Sequence, residues 1–401
     1  LKNSGLSEEE LKQVTVVMVE EGRHALALLS AARFDHPAKK LVMIGVTGTK
    51  GKTTTTHMIR AILLAAGKKV GMIGTTGTVI GDVVTPTLNT TPESYELHQA
   101  FAQMVEAGCE YAVMEVSSQG IKMHRTDGLY FNYAIFTNIS PDHIGPGEHA
   151  DFEEYLYYKT RLLNMCGIGL VNKDDKHAPQ IIKAANCELY TYSEESKEAD
   201  FVASDIRYVS QPDFVGTEFH ISGKYDMEVR LGIPGLFNVV NALAAVSVCS
   251  FLGLDQARIS HALENIRVNG RMEIVYTSER CTVLVDYAHN AVSMESLLST
   301  LRDYKPKRLV CVFGCGGNRS KDRRYSMGEI GGKMADLSII TADNSRYEKV
   351  EDIIADIRGS IEKTGGSFIE IPDRREAIRY SILQAQPGDM VAVIGKGHED
   401  Y

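Results

Sequence analysis

The sequence predicts an α/β protein: a P-loop-type central domain with a mostly parallel sheet, then a C-terminal Rossmann-like α/β domain. Three observations predict it. Short apolar strands alternate with helical stretches from residue 41 onward, and the first strand enters a glycine-rich turn ending in Gly51, Lys52 and Thr53. A fresh α/β alternation then begins after the break at Val268–Arg271. Such alternation implies βαβ units and parallel pairing. A chain of 401 residues also exceeds the ~250–300 at which a single core stops growing. The expected division is 1–40 as a linker or remnant, 41–267 as the central domain and 268–401 as the C-terminal one.

Each element has its own signal in the sequence. Residues Glu21–Ala32 form one amphipathic helical stretch, too little for a domain. The apolar run Val42–Val46 reads as a strand, the turn follows, and His57–Ala66 reads as a helix. Val70–Ile73 is a strand, Ala100–Ala107 a helix, and Tyr111–Val116 and Tyr133–Asn138 are strands. Between 170 and 232 the runs Phe214–Ser222 and Tyr225–Leu231 predict an antiparallel patch, and Asn238–Gly253 a helix. The second alternation has strands at Thr282–Asp286, Leu309–Phe313, Leu337–Thr341 and Met390–Ile394.

Composition narrows the function classes. A net charge of −9 opposes a general nucleic-acid binder, which needs a basic face. No signal peptide or membrane-spanning apolar run is visible. Seven scattered cysteines without a CxxC pair suit a reducing compartment, so the chain reads as cytoplasmic. Cys311 and Cys315 have no His or Cys cluster with them and read as buried strand thiols.

The stretch GVTGTKGKTTT at 45–55 is a phosphate cradle. Gly48, Thr49 and Gly51 let backbone N–H groups approach an anion at a helix N-terminus. Lys52 reaches the outer phosphates, and Thr53 and Thr54 follow, Thr53 offering a hydroxyl to magnesium. Val46 stands where the usual pattern has Gly. Ligands of open α/β sheets gather at the carboxyl ends of strands, which selects EVSS at 115–118 and TNISPDH at 137–143; Glu115 and His143 are candidate metal ligands. By residue type alone Lys159 reads as a solvated lysine. In the second alternation VDYAH (285–289), FGCGGNRSKDRR (313–324), DNSR (343–346) and GKGHE (395–399) follow apolar strands. Loops carrying both signs of charge suit a zwitterion.

With GLFNVVNALAA (235–245) and GRME (270–273), these motifs resemble, in collinear order over about residues 20–401, the Mur ligase family, and within it the ligases that add the third residue of the peptidoglycan stem peptide. The resemblance implies ATP-dependent amide-bond formation on UDP-MurNAc-L-Ala-D-Glu through an acyl phosphate, with ATP and Mg²⁺. It implies that Lys52, Glu115, His143 and Lys159 are catalytic. Thr53, Glu115, His143 and a carbamylated Lys159 would hold metal. Asn238, Asn241, Arg271, Asp286 and His289 would surround the nucleotide, while Asn89, Thr90, Thr91, Ser117 and Arg125 would hold the UDP-linked dipeptide. Arg324, Asp343, Asn344, Arg346, Gly395 and Glu399 would take the incoming amino acid. A guanidinium at Arg346 favours a second carboxylate, hence meso-diaminopimelate over lysine; lanthionine would satisfy the same clamp. The implied partners are these small molecules, with no nucleic acid and no membrane insertion. Family members carry an N-terminal UDP-binding domain, of which residues 1–40 would be the remnant. Gln119 where His is common, Ser345 in place of Pro, and a long Ile144–His149 loop depart from the family pattern. A related ligase with another carboxylate or amino-acid substrate, such as a folylpolyglutamate synthase or a paralogue, and an inactive nucleotide-binding relative are the alternatives.

Overall fold

In the computed structural model, residues 7–397 other than 14 and 16 are described. They build two sheets. The first orders its strands β11-β10-β9-β8-β7-β6-β1-β5-β2-β3-β4. Here β1 is Val42–Thr47, β2 Val70–Gly74, β3 Gly77–Ile80, β4 Val83–Thr85, β5 Tyr111–Glu115 and β6 Phe131–Phe136. The remaining strands are β7 (Cys166–Asn172), β8 (Glu188–Ser193), β9 (Phe201–Gln211), β10 (Phe214–Gly223) and β11 (Met227–Leu231). Pairing is parallel from β9 to β2 and antiparallel at both margins. The antiparallel patch expected between 170 and 232 is the β9–β11 margin.

The second sheet orders β12-β13-β17-β14-β15-β16, from β12 (Glu273–Thr277), β13 (Cys281–Asp286), β14 (Arg308–Phe313), β15 (Leu337–Ile340), β16 (Phe368–Glu370) and β17 (Asp389–Ile394). Only β12 is antiparallel.

Two helices pack at the glycine-rich turn. Helix Lys52–Ala65 starts five residues before the expected His57. Its four threonines are weak helix formers, but Thr54, Thr55 and Thr56 are buried, and Thr56 Oγ1 donates to Thr53 O at 2.9 Å. Packing overrides propensity there. Helix Leu236–Phe251 is buried on nearly every side, in keeping with its Ala/Val/Leu-rich sequence, and it packs on helix Lys52–Ala65. Helix Gly22–Arg33 packs on helix Ser94–Glu106, with Glu21 as its N-cap. Among the described residues no helix is long and apolar enough to cross a membrane.

Candidate active site

β1 carries the chain through Val46, which is buried in register with Glu115 of β5 and Ile135 of β6. The turn proper is therefore Gly48–Gly51, and no glycine is needed at 46. Gly48 and Gly51 have φ of 147° and 86°. A Cβ on Gly48 would overlap Thr137 Oγ1, and one on Gly51 would overlap Asn241 Oδ1. The strand end at 137–138 braces the turn: Thr137 Oγ1 donates to Lys50 O at 2.7 Å, and Lys50 N donates to Asn138 Oδ1 at 2.9 Å. Thr49 N donates to Asn138 O at 2.9 Å. Sequence reading flagged this strand end for His143 and missed the bracing role of Thr137 and Asn138.

Glu115, 1% exposed, ends β5 at the mouth of the turn. Its carboxylate accepts from Thr53 Oγ1 (2.9 Å), Thr75 N (2.9 Å) and Thr75 Oγ1 (3.2 Å). Two amines converge on one carbonyl, as Lys52 Nζ and Lys159 Nζ each donate to Gly48 O at 2.8 Å. Lys159 is not solvated. It is 2% exposed, with Nζ 4.7 Å from the Tyr155 ring centre. Burial, reinforced by the Lys52 charge, holds its pKa well below the usual lysine range. Burial lowers that of Lys52 too, against the pull of Glu115.

The turn, Thr53, Thr75 and Glu115 line a cavity of about 660 Å³ whose far wall belongs to the second sheet: Arg271, Asp286 and His289. Asn238 and Asn241 line it from helix Leu236–Phe251 and are linked, Asn241 Nδ2 donating to Asn238 Oδ1 at 3.2 Å. Asp286 accepts from Met272 N (2.8 Å) and Ala288 N (2.7 Å), but burial dominates and raises its pKa. The Arg271 guanidinium lies 4.9 Å from the Tyr287 ring centre. Leu236 and Phe237 add a partly exposed apolar wall. The arrangement offers phosphate-binding amides, a carboxylate with two hydroxyls for a hard cation, and an apolar flank for a base.

The other expected residues divide. Thr90 lines the cavity and shares a 3.1 Å hydrogen bond with Thr75. Asn89 is half-buried one residue before it. Thr91 is fully buried, donating to Glu115 O and accepting from Ser117 N, both at 3.0 Å, so its hydroxyl faces backbone rather than a ligand. Ser117 caps helix Ser118–Lys122 through Gly120 N, and Arg125 pairs with Glu93 at 2.8 Å. His143 does not line the cavity; it is exposed, with φ of 54°, and its Nδ1 lies 3.1 Å from Glu148. Its loop is clasped to helix Ser118–Lys122: Gln119 Nε2 donates to Gly147 O at 3.4 Å, and His149 Nε2 lies 3.0 Å from Ser118 Oγ.

At the carboxyl end of the second sheet, Arg346 is exposed and donates to Gly317 O at 2.6 Å, bringing the DNSR and FGCGGN loops together. The turn that lacks proline at Ser345 is held by Asn344, whose Oδ1 accepts from Arg346 N at 3.3 Å. Asp343 Oδ2 lies 3.0 Å from a Cβ built on Gly395. Arg324 departs from expectation: it is 1% exposed, donating to Glu348 (2.7 Å) and Asp356 (2.9 Å), and presents no guanidinium to a ligand. Arg346 Nη1 and the Cγ of Arg319 both lie within 4 Å of a Cβ built on Gly316, and Arg319 is exposed. Arg374, unflagged by motif reading, is half-buried and donates to Ala342 O (3.2 Å) and Ile394 O (2.8 Å), tying the Asp343 and Gly395 loops at their roots. Glu399 lies outside the described residues.

Comparison with known proteins agrees with this architecture. Residues 46–249 match the Mur ligase middle domain, and residues 270–397 match the Mur ligase glutamate ligase domain. The chain is 41% identical over 398 residues to a UDP-N-acetylmuramoyl-L-alanyl-D-glutamate–2,6-diaminopimelate ligase of Caldanaerobacter subterraneus subsp. tengcongensis, covering 98% of this chain and 80% of the relative. It is 39% identical to the ligase of that name from Geobacillus thermodenitrificans, covering 97% and 80%. A solved structure of a ligase of that name superposes with a TM-score of 0.75 at 32% identity, over 94% of this chain and 78% of the other. A folylpolyglutamate synthase of Thermotoga maritima shares the fold alone, with a TM-score of 0.72 at 18% identity over 94% and 91%.

Proposed function

The chain belongs to the Mur ligase family, and from that premise we propose that it is an ADP-forming ligase joining meso-diaminopimelate to the D-glutamyl carboxyl of UDP-MurNAc-L-Ala-D-Glu. One observation carries the reading: the phosphate loop and Glu115 of the first sheet share a cavity with Arg271, Asp286 and His289 of the second. ATP held by residues 48–54 places its outer phosphates at Lys52, with Asn238, Asn241, Asp286 and His289 toward the nucleoside. Magnesium fits the oxygen donors of Thr53 and Glu115, and when bound it neutralises charge on the transferring phosphoryl group. Thr75 orients the Glu115 carboxylate for that role.

The glutamyl carboxylate attacks the γ-phosphorus, ADP leaves, and the incoming amine displaces phosphate from the acyl phosphate. Lys52 offsets charge during the first transfer. Burial holds the Lys159 pKa well below the usual lysine range, which favours the neutral amine that adds CO₂, with release of a proton, to give a carbamate; carbamylated, Lys159 would carry a negative charge that could support magnesium. Thr90 and Asn89 face the UDP-linked substrate, with Thr91, Ser117 and Arg125 shaping that wall. For the amino acid, Arg346 and Arg319 suit its distal carboxylate, and Asp343 and Asn344 its ammonium. His143 reaches the reacting groups only if its loop moves. We assign residues 41–267 and 268–401 to the two catalytic units, following the two sheets, with residues 1–40 leading in, and place the enzyme in the cytoplasm.

Phosphate release with ATP, UDP-MurNAc-L-Ala-D-Glu and a panel of amino acids tests the assignment. Turnover with diaminopimelate and none with lysine supports it; lysine turnover, or turnover only with a folate acceptor, overturns it.

A further inference from the structure

Away from the cavity, three side chains from segments a hundred residues apart converge on one point. His24 lies on helix Gly22–Arg33; His124 and Asp127 lie between helix Ser118–Lys122 and β6. His24 Nδ1 is 2.6 Å and His124 Nδ1 2.8 Å from the same oxygen, Asp127 Oδ2, and the ligand atoms all fall within 4.8 Å of one another. We propose that His24, His124 and Asp127 form a binding site for a divalent transition-metal ion, zinc being the best fit, that staples helix Gly22–Arg33 to the loop bearing Arg125.

The donor chemistry suits a borderline ion. Two imidazoles and one carboxylate supply three protein ligands and leave a position for water, whereas the all-oxygen set at Glu115 suits magnesium. Each imidazole binds the ion through a ring nitrogen that carries no proton. Nitrogen and oxygen must then separate to the roughly 3.4 Å that tetrahedral bonds of about 2.1 Å impose. His24 has the freedom for this, its side chain being half exposed. Glu93 takes both Arg23 (2.5 Å) and Arg125 (2.8 Å), which keeps these guanidiniums on Glu93 while the Asp127 carboxylate faces the two imidazoles. His124 holds a left-handed backbone, φ 55°, that aims its ring at Asp127.

The test is a zinc and cobalt(II) titration of chelator-treated whole protein, read by calorimetry, by cobalt absorption and by melting temperature, alongside His24→Ala, His124→Gln and Asp127→Asn. The expected result is one ion more per chain in the parent than in any variant, and a zinc-induced rise in melting temperature that the variants lose. An affinity drop of at least about tenfold accompanies loss of a ligand, since outer-shell changes alone cost that much. Equal stoichiometry and affinity in the parent and in His24→Ala, an exposed helical position that leaves the fold intact, overturns the proposal.

Discussion

At the residue scale the most informative group is Lys159. Its type and helical setting read as a solvated lysine; only the family resemblance singled it out. Its burial beside Lys52 was invisible, because it depends on Gly48 O of the distant phosphate turn meeting its amine, with Tyr155 one turn earlier on the same helix. Lys159→Ala is expected to lower turnover by about 10²–10³-fold, the usual cost of deleting one electrostatic contributor at a transferring group, and removal of CO₂ should reversibly lower the parent's activity but not the variant's residual rate. Arg346→Ala should raise the KM for diaminopimelate strongly while leaving the KM for ATP nearly unchanged; steady-state kinetics with each substrate varied decides this. Arg324→Met should lower the denaturant midpoint, because Glu348 loses this guanidinium and Asp356 keeps only Lys321, while the KM for diaminopimelate should change far less than in Arg346→Ala. Motif spacing could not separate Arg319 from Arg324, since both follow the same glycine turn and only packing decides which one is buried.

At the element scale the phosphate turn was legible because strand, glycines and GKT are local. Its bracing was not. Thr137, Asn138 and Asn241 reach it from β6 and from helix Leu236–Phe251, across more than eighty residues of sequence. Gly51→Ala follows from that contact. The new methyl meets Asn241 Oδ1 at a φ of 86°, so nucleotide affinity should fall at least tenfold with little change in far-ultraviolet dichroism; titration with an ATP analogue reads it. The helix, read as starting at His57, starts at Lys52, because the turn and the burial of Thr54, Thr55 and Thr56 set the boundary. The parallel strands read from the sequence lie within a few residues of those observed, because buried parallel strands read as continuous apolar runs; β7, β8 and β16 were not read.

At the scale of the whole molecule, two histidines, His98 buried and His57 partly buried, set an acid limit. Burial, foremost, pushes the pKa of His57 and of His98 down to about 4, and among the described residues neither ring nitrogen of His98 has a hydrogen-bond partner. Unfolded, each binds a proton below about 6.5, so the unfolded state gains protons first as pH falls. Stability is full above that value and declines toward 4, by roughly 2 kcal/mol per histidine at pH 5. Urea midpoints at pH 7.5 and 5 should show this, and His98→Leu should flatten the difference. The larger claim is that two sheets enclose one site for acyl-phosphate chemistry, and transfer of ¹⁸O tests it most directly. With ¹⁸O in the glutamyl carboxylate of UDP-MurNAc-L-Ala-D-Glu, turnover with ATP and diaminopimelate should release phosphate carrying one labelled oxygen. Amide product accompanied by unlabelled phosphate would contradict it.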